Sequence, residues 1–329
     1  MTAAVTTPPP PSLRSTRRQP GDAGFRLLAL GSGLLVLAIL VGIVVATLTK
    51  SWAAIRFEGF GFLTSTTWDP TNGKLGGLSL IYGTVVVSAI ALVVAVPISL
   101  GIALFVSELA PRWLRQPVIF LMDLLASVPS VVYGLWGAFT LAAPIGRFYG
   151  HVSDAVNGIP VLDTLLHGHL GRSFMTAGLI VAMMIIPIIT SLSREVFATV
   201  PTAQKEAALA LGSTRWEMIR TAVLGYGRNG VVGAVMLGLG RAMGETIAVA
   251  LTIGSLQQVS AHLFDSGDAL ASIIANQFGE ATNQFGTKGN VPFQAALIGL
   301  GFALFVLTIA VNLIAQAIIA RGERNLKGV

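Results

Sequence analysis

Six long apolar runs constrain this chain more than any other feature: residues 27–49, 81–106, 118–143, 177–192, 231–253 and 295–320. A helix needs about 20 apolar residues to cross a hydrocarbon core of about 30 Å, and each run comes close, the fourth only with its flanks. Backbone groups in lipid must be paired inside their own segment. Six runs therefore predict six transmembrane helices and an all-α polytopic membrane protein. Composition agrees: of 329 residues, 53% are hydrophobic and 11% charged, too few charges to cover a soluble domain of this size. The absence of cysteine excludes disulfides, thiolate chemistry and a Cys-based zinc site.

The first run follows a basic, proline-rich leader containing Pro8, Pro9, Pro10 and Pro11 with Arg14, Arg17, Arg18 and Arg26. A signal peptide has an apolar core of only about 7–15 residues, so residues 27–49 read as a retained first helix. Residues 1–22 can bury almost nothing and read as a disordered tail.

The placement of Lys and Arg then predicts the topology. With the N-terminus inside, Arg14, Arg17, Arg18, Arg26, Arg112, Arg115, Arg194, Lys205, Arg215, Arg220, Arg228, Arg321, Arg324 and Lys327 fall inside. Lys50, Arg56, Lys74, Arg147, Arg172 and Lys288 fall outside, and Arg241 lies within the membrane. That asymmetry is the positive-inside pattern of a cell-membrane protein with both termini cytoplasmic, the second as a short tail over 321–329. It also accounts for the net charge of +6 without a nucleic-acid partner.

Pro97, Pro129 and Pro187 fall inside apolar runs. Each removes a backbone hydrogen bond and kinks or breaks its helix, which a membrane tolerates where neighbours or a cavity re-satisfy the freed groups. Prolines are also simply commoner in membrane helices. Outside loops at about 50–80, 144–173 and 255–292 read as caps, short re-entrant pieces or docking surfaces. They carry all four histidines, His151, His167, His169 and His262. The His167–His169 pair has no carboxylate or cysteine cluster to complete a metal site, so no metal is expected.

The inside loop 194–228 is the most informative soluble stretch. Thr202 is placed to cap a short helix through Glu206, Ala207, Ala208, Leu209, Ala210 and Leu211, with Gly212 as its stop. Thr214 and Glu217 have capping-box spacing and open a second short helix through Met218, Ile219 and Val223. On pattern alone, this pair of helices could be an ordinary amphipathic connector.

Glu206-Ala207-Ala208 with Gly212 resembles the EAA motif of permease subunits in binding-protein-dependent ABC importers. Three further stretches resemble the phosphate branch of that family: residues 129–137 (PSVVYGLWG), 184–189 (MIIPII) and 239–246 (LGRAMGET). Gly61-Phe62-Leu63 and Trp68-Asp69-Pro70 are similar to PstC-type rather than PstA-type subunits. One departure is Gly225 after Leu224, where the family commonly has a hydrophobic residue followed by proline. The resemblance implies a type I ABC importer permease fold over 80–320, with coupling helices at 202–223 and Glu206, Ala207, Ala208 and Gly212 engaging the ATPase. It implies inorganic phosphate as substrate and alternating access as mechanism. The partners it implies are a homologous PstA-type permease subunit, a cytoplasmic ATPase dimer and a periplasmic or lipid-anchored phosphate-binding protein. No G-x-x-x-x-G-K-[ST] sequence is present, since Gly73-Lys74 is followed by leucine. ATP and Mg are therefore expected on the ATPase, with no cofactor in this chain.

Arg241 and Glu245 lie near the middle of the fifth run. Four residues apart on a continuous helix, they would share one face, about 40° apart. A lone charge at mid-bilayer costs at least ~2.5–3.5 kcal/mol, so both should face the protein interior or an aqueous path. Gly240 and Gly244 would let another helix approach. Two readings stay open. The residues are a structural ion pair that orients the bundle, or Arg241 lies on the substrate route, where a guanidinium suits an oxyanion and Glu245 holds it in place. Ser127, Ser130 and Thr246 are candidate hydroxyl donors near that depth, although such residues are also common packing groups. Asp123 receives no role. Rival functions are a permease for sulfate or molybdate, and an ATP-independent secondary transporter or channel. An enzyme is not expected, because no triad, metal cluster or nucleotide loop is visible.

Overall fold

The computed structural model describes residues 20–59, 61–281 and 293–327. The expected tail before residue 20 lies outside them. The chain forms two units, 1–46 and 47–329. The described part of the first is helical throughout and belongs to helix α1, Pro20–Glu58. The helix therefore starts inside the expected tail and ends beyond the apolar run at residue 49.

Five helical segments among the described residues are long and apolar enough to span a membrane, and a bent pair makes a sixth. Besides α1 they are α3 (Leu78–Leu104, extended by a π-turn over Phe105–Leu109), α8 (Phe174–Ala198), the segment Arg215–Met243, and α14 (Phe293–Lys327). The bent pair is α4 (Arg112–Ser127) followed by Ser130–Val156, turned by 88°. Its second part comprises α5 (Ser130–Trp136), a π-turn over Gly137–Leu141, and α6 (Ala142–Val156).

α3 and α8 form the spine of the bundle. Ala91, Ala95, Ala177, Val181 and Ala182 are buried, because helices in lipid gain most by close packing of small side chains. Pro97 and Pro187 lie inside these two helices without ending them. Hydroxyls bridge the pair nearby: Ser99 Oγ donates to the Ile186 carbonyl at 3.1 Å and Thr190 Oγ1 to the Ser99 carbonyl at 3.4 Å. Pro129 behaves differently. It stands at the bend, with extended backbone between α4 and α5.

The connections at the end of the bundle away from residues 199–214 are more ordered than loops. They include α2 (Gly61–Thr64), a two-stranded antiparallel hairpin of β1 (Trp68–Asp69) and β2 (Lys74–Leu75), α7 (Pro160–Leu166) and α13 (Leu270–Ala281). The segments expected as loops at 144–173 and 255–292 thus contain helices, and residues 282–292 lie outside the described set. Phe62, Trp68, Leu75, Leu80, Leu270, Phe293 and Leu300 build one apolar cluster there. Trp68 Nε1 donates to Gln277 Oε1 at 2.9 Å. The stretch 254–268 folds over the start of α8, where the amides of Phe174 and Met175 donate to the carbonyls of Asp265 and Leu263. Those amides would otherwise be orphans of the helix start. α14 runs without a break through residues 321–327, expected as a tail.

Asp268 locks this cap. It is 1% exposed and accepts from the Ala269 amide at 2.8 Å and from Ser272 Oγ. Burial pushes its carboxyl above the usual range. Its carbonyl lies where a Cβ on Gly83 of α3 would be. Gly83→Ala should therefore force overpacking and destabilise by about 1–3 kcal/mol. Gly101→Ala, with open space at its Cβ, should not. Thermal unfolding of the purified protein in detergent checks the pair; equal midpoints would refute this account of the cap.

Candidate functional site

The segment Arg215–Met243 contains α10 (Arg215–Met218), a π-turn over Ile219–Val223 and α11 (Leu224–Met243). It stops at Gly244, and α12 (Ile247–Thr252) starts after Thr246. This break falls inside the fifth apolar run and corrects the expectation of one face carrying both charges. Arg241 is in the last turn of α11, whereas Glu245 is in the unwound link. The i,i+4 relation requires a continuous helix, and no ion pair joins the two among the described residues. Glu245 instead turns toward α12, where its Oε1 accepts from the Ala248 amide at 3.4 Å. Thr246 Oγ1 donates to the Gly244 carbonyl at 3.2 Å. Arg241 is exposed, and its guanidinium makes no ion pair or hydrogen bond to another described residue.

The second break lies beside the first. α5 and α12 pack directly: a Cβ on Gly134 would be 2.9 Å from Ala248 Cα, and one on Gly137 would be 2.9 Å from Thr252 Cγ2. Positions 134 and 137 thus pair with 248 and 252 in the same order, so the two short helices run parallel. With Gly134 beside Ala248, Ser130 lies four residues before the contact and Ile247 one, so the start of α5 falls level with the unwound link at Gly244 rather than with the start of α12. Tyr133 Oη, donating to the Leu125 carbonyl at 3.0 Å, ties α5 back across its own bend. Of the expected hydroxyl donors, Ser130 and Thr246 flank the two breaks. Ser127 Oγ donates to the Leu124 carbonyl at 2.7 Å within α4. The arrangement supplies a guanidinium, a carboxylate, hydroxyls and unwound backbone at mid-span. Unwound backbone at that depth is tolerated only where protein or water meets it.

The second group of expected residues lies at one end of the bundle on α9 (Thr202–Ala210). Thr202 is the first helical residue rather than the cap. Pro201 holds the cap position with extended backbone, and its hydrocarbon ring has no acceptor to offer the helix amides. Glu206 and Ala207 are exposed and Ala208 is half-buried. Gly212 has φ +83°. Its amide donates to Leu209 and the Ser213 amide to Ala208, the paired bonds of a Schellman stop. Thr214 then forms the capping box: Glu217 Oε2 accepts from the Thr214 amide at 2.7 Å, and Thr214 Oγ1 accepts from the Glu217 amide at 3.3 Å. The second helix is not a separate short element, because α10 continues through the π-turn into α11. Leu211 is 88% exposed and Trp216 63%, a bare apolar edge around the turn.

One contact at this end escaped the pattern. Lys205 Nζ donates to Glu108 Oε1 at 2.5 Å, tying α9 to the end of α3. The partners are 97 residues apart, so no local spacing signals them. Among the described residues no group of three or more His, Asp or Glu could hold a metal.

Residues 95–327 match the family model of the binding-protein-dependent transport system inner membrane component. The chain is 44% identical over 318 residues, covering 96% of it and 95% of the relative, to the phosphate transport system permease protein PstC of Xylella fastidiosa. It is 42% identical over 320 residues, 95% of both chains, to PstC 2 of Mycobacterium tuberculosis. A bacterial ABC transporter involved in import of the acidic polysaccharide alginate has a chain similar in fold: TM-score 0.56, 14% identity, covering 90% of this chain and 99% of that one.

A φ of +83° costs an L-residue roughly 1–2 kcal/mol. Gly212→Ala should therefore loosen the turn, while Gly212→Asn, which takes the left-handed region more readily, should retain it. Proteolysis between α9 and α10 in the purified protein reports this; equal cleavage of the alanine variant and wild type would contradict it.

Proposed function

Since the chain belongs to the binding-protein-dependent transport system inner membrane component family, we propose that it is the membrane-spanning permease subunit of an ATP-driven importer carrying inorganic phosphate into the cytoplasm. The observation that carries this reading is near full-length identity of 41–44% to phosphate permeases from several bacteria. In this reading both termini and α9 face the cytoplasm, as the distribution of Lys and Arg implies. The subunit pairs with a homologous PstA-type permease. Two cytoplasmic ATPases hold ATP and Mg, and a periplasmic or lipid-anchored protein delivers phosphate to the opposite end.

The broken helices give the substrate its route. Arg241 is an exposed guanidinium at the end of α11 and presents planar bidentate donors suited to an oxyanion. The Ser130 hydroxyl is a neutral donor at the neighbouring break, while Thr246 and Ser127, which now donate to the Gly244 and Leu124 carbonyls, would have to turn their hydroxyls to reach the anion. Glu245, bonded to the start of α12 rather than to Arg241, contributes a like charge that keeps phosphate from settling too deeply to leave. The exposed Glu206–Ala207 surface and the Leu211–Trp216 edge form the ATPase contact. Gly212 and the capping box keep that contact rigid, so a push on α9 moves the helix that follows.

Arg241→Gln should abolish uptake of radiolabelled phosphate in cells lacking the native subunit, while the complex still assembles and purifies with its ATPase. Wild-type uptake should persist in excess sulfate. Normal uptake by an assembled Arg241→Gln complex would sink the role of Arg241, and loss of phosphate uptake to sulfate competition would overturn the substrate.

A further inference from the structure

A cavity of about 230 Å³ opens beside α9 at the end of the bundle remote from the hairpin, lined by Ser107, Glu108, Arg115, Arg194 and Lys205 together with apolar groups. Three cations face one carboxylate. Glu108 is taken by Lys205 at 2.5 Å, and their side chains are only 9% and 21% exposed. Arg115 donates from Nε to the Val106 carbonyl at 2.8 Å and from one terminal nitrogen to the Ser107 carbonyl at 2.7 Å, leaving further N–H groups unused. Arg194 is half-buried near the end of α8, and its guanidinium makes no ion pair or hydrogen bond to any described residue. Asp123 shares a neighbouring cleft with Arg194 but makes no ion pair with it. Ser107 Oγ is buried and has no hydrogen-bond partner among the described residues.

An excess of two positive charges, a free guanidinium and an unsatisfied hydroxyl in one polar cavity call for an anion, because half-buried charge without a counter-charge is costly. We propose that this cavity binds a phosphoryl anion, bidentate on Arg194 with Arg115 and Lys205 completing its cage, and that the bound anion fastens α9 to the bundle. A phosphate carries about −1.5 to −2 at neutral pH and several acceptor oxygens, which matches the charge excess. The anion would touch α4, α8 and α9 at once, adding to the Lys205–Glu108 pair and the packing of Ala208 that now hold α9. Where α9 is the ATPase contact, as in the proposed function, cytoplasmic phosphate would damp its own import. Free phosphate and the headgroup of an anionic lipid share this chemistry.

The test is hydrogen exchange of residues 202–210 in the intact transporter complex, reconstituted in nanodiscs of phosphatidylcholine alone or with phosphatidylglycerol. Added inorganic phosphate, but not chloride, should slow exchange in phosphatidylcholine. If the headgroup is the source, phosphatidylglycerol should protect without added phosphate. Arg194→Gln should raise the phosphate or lipid requirement by roughly tenfold or more, the loss of one charge-assisted contact. Arg194→Lys, which keeps the charge, should lose less, and Arg241→Gln should leave the effect intact. Equal protection in wild type and Arg194→Gln, or none in either lipid, overturns the proposal. So does protection lost in Arg241→Gln but kept in Arg194→Gln, which would put the anion on the transport route. Uptake that fails the earlier test while this protection persists would count against the transport reading alone.

Discussion

A peptide group in hydrocarbon has no water to fall back on, and every unwound turn in the membrane must find its hydrogen bonds inside the protein. This constraint decides where the bundle can be irregular. At Pro129 the chain bends by 88°, and Tyr133 repairs the bend by donating to the Leu125 carbonyl. At Gly244 the helix stops, and Glu245 and Thr246 supply side-chain bonds to the link and to the next helix. Pro97 and Pro187, flanked by hydroxyls on a tightly packed spine, cause no break. Proline alone does not open a helix here.

The two breaks depend on one another. α5 and α12 meet backbone to backbone, because Gly134 has no Cβ to hold Ala248 away. That contact puts Ser130, four residues before Gly134, at the level of the unwound Gly244 link, four residues before Ala248.

Much of this was legible in the sequence, and the boundary of legibility has physical causes. The apolar runs announce their helices because lipid demands length and hydrophobicity. The turn at 211–217 is legible because the left-handed Gly212 and the Thr214–Glu217 box are strictly local devices. Arg241 and Glu245 misled for the opposite reason: an i,i+4 pattern assumes a continuous helix, and nothing in the residue types says that Gly244 ends one. Residues 144–156 read as part of a loop because their polar residues interrupt the apolar count, yet they belong to the helix Ala142–Val156, whose Gly146, Tyr149 and Ser153 face inward. The Glu108–Lys205 pair joins residues that only the tertiary fold brings together.

The capped turn has a mechanical consequence, because α10 does not end where a connector would. From Arg215 the backbone runs 29 residues to Met243, a rod about 43 Å long at 1.5 Å per residue, with its only irregularity a π-turn in the second turn. One end is clamped by the Thr214–Glu217 box and the other carries Arg241. If the ATPase engages this turn, as proposed, a tilt imposed at the box would be carried along one continuous helical segment to the end that bears Arg241, with the π-turn its one irregular stretch.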